Sequence, residues 1–190
     1  MTKQAPGLKH VMVGLGWTTQ QYTNGSDFDL DASAFMVRAD GKTDPSEMIY
    51  YNTSITTPDG RKCDPAQSVI HSGDSRSGGD GNTDDEQITV DLEKVPDYIE
   101  KIAISVTIYE ADRRGQNFGM VSHAYIRLVN DDTGAEIARF DMGEEFSTET
   151  AVVIGEIYRN RGEWKFNPVG AGYAGGMVSV CAQYGLDAGE

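Results

Sequence analysis

The residues best equipped for chemistry lie in one stretch, Gly73 to Glu86, which reads G-D-S-R-S-G-G-D-G-N-T-D-D-E. It holds four glycines, five acids and one base, and between Ile70 and Ile88 no aliphatic residue, phenylalanine, tyrosine or tryptophan occurs. Such a segment cannot enter a core. Asp74, Asp80, Asp84, Asp85 and Glu86 offer carboxylates, and Asn82 offers a carbonyl. The glycines let the backbone fold back and present carbonyls of its own. That is the donor set of a Ca²⁺ loop, and without a cation the carboxylates repel at close range, which favours an open loop. The same composition also suits a solvated hairpin loop.

The spacing is not that of an EF-hand. With Asp80 at the first ligand place, Asn82 and Asp84 take the third and fifth. The sixth, which needs glycine, falls on Asp85, and the twelfth falls on Asp91 rather than glutamate. A cation site here must be completed from elsewhere in the chain. A second acidic cluster, S-D-F-D-L-D-A-S-A-F from Ser26 to Phe35, supplies candidates. Side chains alternate along a strand, so Asp27, Asp29 and Asp31 share one face. Beyond Asp31 the same parity turns apolar through Phe35 and Val37, as in a strand acidic at its start and buried on both faces afterwards. Like charges at the mouth of a buried strand are costly unless a cation sits among them, and oxygen ligands in such number suit Ca²⁺ or Mg²⁺.

The elements that must position these acids are mostly strands. His10 to Trp17 alternates, with Gly14 and Gly16 facing the same way. Thr18 to Ser26 is a loop that delivers the acidic strand. Short strands are expected at Met48–Asn52 and Ile88–Leu92. Ile102, Ile104, Val106 and Ile108 give the clearest strand in the chain. Val121–Val129 and Glu136–Asp141 read as a hairpin about Asn130-Asp131-Asp132-Thr133-Gly134, and Ala151–Tyr158 turns at Asn160-Arg161-Gly162 into Glu163–Phe166. Pro96 limits its neighbourhood to a loop or a short helical turn, and Gly175 to Tyr184 reads as a short helix. Many short strands with recurring turns predict an all-β chain, a β-sandwich of two antiparallel sheets, as one domain over residues 1–190. Loops gather at the two ends of a sandwich, where separate segments can share one metal site.

Sixteen bases against thirty acids leave a net charge of −14, the wrong sign for nucleic acid and for anionic lipid unless Ca²⁺ bridges the two surfaces. No run is long enough to span a membrane and the first residues do not resemble a signal peptide, so a cytoplasmic protein is expected. Cys181 sits in an apolar stretch and reads as core, whereas Cys63, after Arg61 and Lys62, reads as a surface thiol in a loop. His71 reads as a strand-end surface group and Glu156 with Arg159 as a local ion pair. The three histidines have no zinc spacing, and there is no G-x-S-x-G, P-loop lysine or dinucleotide fingerprint. No nucleophile or base stands out, so a non-enzyme is expected.

With its segments laid out, the chain resembles the TerD family of tellurite-resistance and stress-response proteins nearly end to end. The resemblance is carried by V-G-L-G-W at Val13 to Trp17, F-D-L-D-A-S-A-F at Phe28 to Phe35 and the whole acidic stretch. It continues in Q-N-F-G at Gln116 to Gly119, A-Y-I-R-L at Ala124 to Leu128, S-T-E-T-A at Ser147 to Ala151, G-E-I-Y-R at Gly155 to Arg159, E-W-K-F at Glu163 to Phe166 and G-Y-A-G-G at Gly172 to Gly176. It implies a Ca²⁺-binding β-sandwich of a bacterial stress protein, with two Ca²⁺ ions expected and ligands within Asp27 to Asp31 and Asp74 to Glu86. The chain departs at Asn82-Thr83, where relatives tend to carry Asp-Gly. The resemblance also implies partners among other proteins of the tellurite-resistance system or a membrane protein. Two other readings stand beside it: a Ca²⁺-dependent membrane adaptor with the logic of C2-type domains, presenting Arg76 and Phe118 at its tip, and a redox or hydrolytic enzyme.

Overall fold

A computed structural model of the chain describes residues 7–18 and 27–188, and of Glu144 the backbone alone. Past Thr18, the loop expected before the acidic strand lies outside these residues. Eleven strands are described: β1 (His10–Gly16), β2 (Leu30–Arg38), β3 (Met48–Ile49), β4 (Lys62–Cys63), β5 (Val69–His71), β6 (Glu86–Asp91), β7 (Ile99–Ile108), β8 (Tyr125–Asn130), β9 (Ala135–Asp141), β10 (Ala151–Asn160) and β11 (Glu163–Tyr173). They form two antiparallel sheets, β4-β5-β6-β1-β8-β9 and β11-β10-β7-β2-β3, as the turn spacing predicts. Three short helices join them: α1 (Ala111–Arg114), α2 (Met142–Glu145) and α3 (Gly176–Gln183). No helix among the described residues is long and apolar enough to cross a membrane.

The core follows from alternation. Val11, Val13 and Leu15 of β1, Ile88 and Val90 of β6 and Ile126 and Leu128 of β8 face Leu30, Ala32, Ala34 and Met36 of β2, Ile102, Ile104 and Val106 of β7 and Val152 and Ile154 of β10. The other face of the second sheet is also covered. Phe35, Val37, Ala103, Ala151 and Val153 pack under Val180, Cys181 and Tyr184 of α3 and its end. That is why β2 is buried on both faces after its acidic start, and why the C-terminal stretch is helical.

Several local expectations change. Cys63 is fully buried, because β4 pairs with β5 and turns it inward. Both cysteines are free thiols, raised above their ordinary pKa by burial. His71 is also fully buried. Glu156 pairs with Lys101 at 2.6 Å, across the β10–β7 pairing, instead of with Arg159. Arg159 donates to the carbonyls of Ile99 and Val95, each at 2.9 Å. β8 starts only at Tyr125, because Phe118–Met120 forms a 3₁₀ turn and His123 has a left-handed φ of 53°. β11 runs on to Tyr173 despite Pro168, which an edge strand tolerates.

β10 keeps its inward pattern through a bulge between Val153 and Gly155. A Cβ at Gly155 would overlap the ring of Phe166, which is 2% exposed. Gly155→Ala is therefore expected to cost about 1–3 kcal/mol through overpacking. Urea unfolding of the two proteins measures the difference, and an unchanged midpoint would contradict this packing.

Candidate metal centre

The acids gather at the end of the sandwich where β2 begins and the β5–β6 connection folds over. β2 pairs with β7 from Leu30 onward, and the Asp29 carbonyl accepts the Tyr109 N–H at 2.9 Å just past that ladder. The sheet thus fixes the backbone on both sides of Asp29 and Asp31, and their common parity turns both carboxylates the same way. The third carboxylate comes from Asp74. Oxygens of Asp29, Asp31 and Asp74 all lie within 4.8 Å of one another. They line a cavity of about 200 Å³ together with Tyr51, Arg76, Tyr109 and Arg114.

Glu86 forms the inner wall. It occupies the first inward position of β6, paired with Leu15, in the parity of the core residues Ile88 and Val90. Its side chain is fully buried. Oε2 accepts the Ala32 N–H at 2.9 Å from the opposite sheet, and Oε1 accepts the Ser75 N–H at 3.1 Å from the loop. His71 Nδ1 accepts the Gly73 N–H at 3.0 Å, so in the neutral ring the proton sits on Nε2, 3.4 Å from Glu86 Oε2.

The electrostatics at this end are unfavourable to the anions. Asp31 is 3% exposed. Burial first, and then the charges of Glu86, Asp29 and Asp74, push its pKa up to about 8. Burial and Asp74 push Asp29 up to about 6. Asp29 Oδ1 is buried and has no hydrogen-bond partner among the described residues. Asp74 is paired with Arg76, whose Nε donates to it at 3.0 Å, but Arg76 is largely in solvent. Clustered carboxylate oxygens, one of them unsatisfied, fit a hard divalent ion, for which oxygen ligands are the natural set.

The remaining predicted ligands stand elsewhere. Asp84 is on the outer face of the first sheet, over Gly14, where a Cβ would overlap its carboxylate. It accepts from Arg127 Nε at 2.9 Å and Nη2 at 2.8 Å, from Tyr125 Oη at 3.0 Å and from Gln87 Nε2 at 3.1 Å. Burial opposes its ionisation, but the bonds from Arg127, Gln87 and Tyr125 together outweigh that and hold it below the usual carboxylate range. Asp85 Oδ2 accepts the Trp17 N–H at 3.0 Å. Asp80 is exposed and caps its own turn through the Asn82 N–H at 2.9 Å. Asn82 Nδ2 reaches the Asp80 carbonyl at 3.4 Å. Asp27 is exposed, and its carbonyl accepts from Arg114 Nη1 at 3.2 Å.

Three parts of this end were not read from the sequence: the Asp84–Arg127 clamp, the inward seat of Glu86, and Tyr51, Tyr109 and Arg114 at the rim. The clamp did leave a signal. Gly14 and Gly16 share a face of β1, and their register partners on β8 are Arg127 and Tyr125. Room on one strand opposite an Arg–Tyr pair on the next marks a seat for a carboxylate.

The TerD domain family model matches residues 1–184. The chain belongs to the TerD family. Among its relatives, the tellurium resistance protein TerD of Serratia marcescens is 52% identical over 189 residues, covering 99% of this chain and 93% of that protein. General stress protein 16U of Bacillus subtilis is 47% identical over 190 residues, covering 100% of this chain and 94% of its own. The crystal structure of a homologue of telluride resistance protein (TerD) from Streptomyces coelicolor A3(2) superposes with a TM-score of 0.72 at 23% identity, covering 92% of this chain and 96% of that one. That likeness speaks for the fold alone. The chain is thus a TerD-family sandwich, with three carboxylates gathered at one end of it.

Two expectations follow from the two buried acids. Asp31 has a folded pKa of about 8 against an ordinary 3.8, so burying it ionised costs more as pH rises through that window and no more above it. With chelator present, Asp31→Asn should therefore gain stability over the parent at pH 8, by up to about 5 kcal/mol, and come close to it near pH 4. Denaturant unfolding at the two pH values checks this, and a variant less stable at pH 8 would reverse the sign. For the clamp, Arg127→Met should cost about 2–4 kcal/mol, because it strands the buried Asp84 charge. Adding Asp84→Asn to it should recover part of that loss. A double-mutant cycle with no coupling would separate the two residues.

Proposed function

We propose that the chain is a calcium-binding stress-response protein of the tellurium-resistance kind, with Ca²⁺ held where Asp29, Asp31 and Asp74 converge. The observation that carries this reading is the convergence of three carboxylates within 4.8 Å from two separate segments, with Asp31 almost fully buried and Asp29 Oδ1 unsatisfied. Calcium is favoured over magnesium because the surrounding glycine-rich loop can adapt to a larger, less regular oxygen cage, whereas Mg²⁺ demands near-ideal octahedra and keeps its waters. Glu86 stands behind Asp31 and adds negative charge to the site. Relatives are named as resistance and stress-response proteins rather than as enzymes, which fits a binding role.

In this reading the chain acts in the bacterial cytoplasm, and the ion orders a surface at the sandwich end that a partner reads, the partner being another protein of the resistance system or a membrane protein. Of the two residues named for the membrane-adaptor alternative, Phe118 is fully buried and Arg76 is exposed.

Calorimetric titration tests the site. Ca²⁺ should bind with Mg²⁺ competing poorly, and Asp29→Ala or Asp31→Ala should weaken binding. At free Ca²⁺ about 100 times the dissociation constant, linkage adds about 2.7 kcal/mol per site to stability. A melting temperature that is the same in EDTA and in Ca²⁺, with unchanged hydrogen exchange over residues 72–87, would remove both the ion and the ordered surface.

A further inference from the structure

Three sulfur-bearing side chains, Met48, Met177 and Cys181, line one cavity on the far face of the second sheet, away from the acids. Met177 and Cys181 are four residues apart on α3, so they lie one above the other on one face of the helix. Met48 opens β3 beneath them, and Cys181 Sγ lies 3.9 Å from Met48 Sδ. All three residues line one cavity of about 620 Å³. Thr43 lines the same cavity. It is 5% exposed, and its hydroxyl is buried with no hydrogen-bond partner among the described residues. The cavity therefore combines soft donors with a polar atom left unsatisfied.

We propose that Cys181, Met48 and Met177 form a binding site for a soft monovalent cation of the Cu(I) or Ag(I) class, held by one thiolate and two thioethers. Thiolate and thioether ligands select soft ions, whereas carboxylates and carbonyls select hard ones. The spacing agrees. The Cys181 thiol already donates to the Met48 thioether at 3.9 Å, so both sulfurs face one point and small side-chain movements let them share an ion. Met177, on the same helix face as Cys181 and only partly buried, supplies the third sulfur with an unbranched chain that adapts its reach. Binding is a proton exchange: the ion takes the place of the Cys181 thiol hydrogen, which leaves to solvent, and no electron moves. Burial raises the Cys181 pKa, so the thiol stays protonated toward ordinary electrophiles and yields to an ion that competes strongly for sulfur. The site shares no residue with the aspartate cluster, so hard and soft ions occupy the protein independently.

The test titrates the reduced full chain with Ag(I), anaerobically and in the presence of Ca²⁺, against a chromophoric chelator. The parent and Cys63→Ser should each bind one tight equivalent and release one proton, and Cys181→Ser should lose it. Met177→Leu keeps the side-chain volume and removes only the sulfur. It should lower affinity about tenfold or more. Asp31→Asn should bind Ag(I) as the parent does. Binding that survives Cys181→Ser, or that follows Cys63 instead, would overturn the site. So would parent affinity in both Met177→Leu and Met48→Leu, which reduces the site to a lone thiol. Should Cys181→Ser fail to fold, Met177→Leu and Met48→Leu decide the matter, and parent affinity in both would overturn it.

Discussion

The Glu86 carboxylate joins the two sheets at the end where the acids collect. It sits at an inward position of β6, is fully buried, and takes one hydrogen bond from Ala32 in the facing sheet and another from Ser75 in the loop. The Ala32 N–H lies on β2 beyond the short β3 pairing, which covers only Ala34 and Phe35, so that donor needs another partner. A carboxylate is the strongest acceptor the facing sheet could offer, because charge-assisted hydrogen bonds exceed neutral ones. The consequence is electrostatic. With Glu86 anchored behind β2, any carboxylate at Asp31 is buried next to another anion. The acidic end is thus a cost of closing this end of the sandwich, as well as a candidate site.

The same loop meets the problem of a buried acid in two ways. Asp84 is given a cation by the protein itself, in a two-pronged contact with Arg127 reinforced by Tyr125 and Gln87, and it is held ionised. Asp31 is as deeply buried but receives no guanidinium hydrogen bond among the described residues. Arg114 lowers its pKa only weakly, behind burial and three acids. Arg76 is tied to Asp74 at the surface. One acid is satisfied from within, and the other is left poised for a charge from outside. This contrast, more than the number of acids, distinguishes structural carboxylates from candidate ligands here.

It also explains what the sequence could and could not disclose. Alternation along β2 put Asp29 and Asp31 on one face, and that placement depends only on the two-residue period of a strand. The sandwich followed from the strand count and turns, and the covered outer face of β2 from its unbroken apolar run. Asp84, Asp85 and Glu86 are adjacent in sequence, yet they turn to the outer face, to the Trp17 backbone and to the core. Composition treats them alike, and only the register of β6 against β1 separates them. Cys63 and His71 were misplaced for a related reason. β4 and β5 span two and three residues, too short for a period to show, and their burial comes from pairing with each other and with β6. Glu156 and Arg159 lie close in sequence, but each took a partner far along the chain, since strands expose neighbouring side chains to different neighbours.

The bonds that shape the acidic loop bear on how far a cation could reorganise it. Its ends are pinned by the pairing of His71 with Ile88 and by reciprocal bonds between Ser72 and Gln87. Its middle is held where Gly79 and Asp80 bridge to Thr18, and Gly78 packs so closely on Trp17 that a Cβ there would overlap the indole. Its second arm is held by Asp84 on Arg127, Asp85 on Trp17 and Glu86 on Ala32. None of these contacts involves the three-carboxylate cluster. Repulsion among Asp29, Asp31 and Asp74 therefore does not act directly on these held segments. It acts on the short arm from Gly73 to Ser77, where Asp74 is the one cluster member supplied by the loop and its neighbours are tied by the Gly73 N–H to His71 and the Ser75 N–H to Glu86. An ion that draws Asp74 toward Asp29 and Asp31 would tighten that arm against an already folded frame, so an ion-dependent surface would comprise this arm, Arg76 and the Tyr109 rim rather than the full glycine-rich stretch.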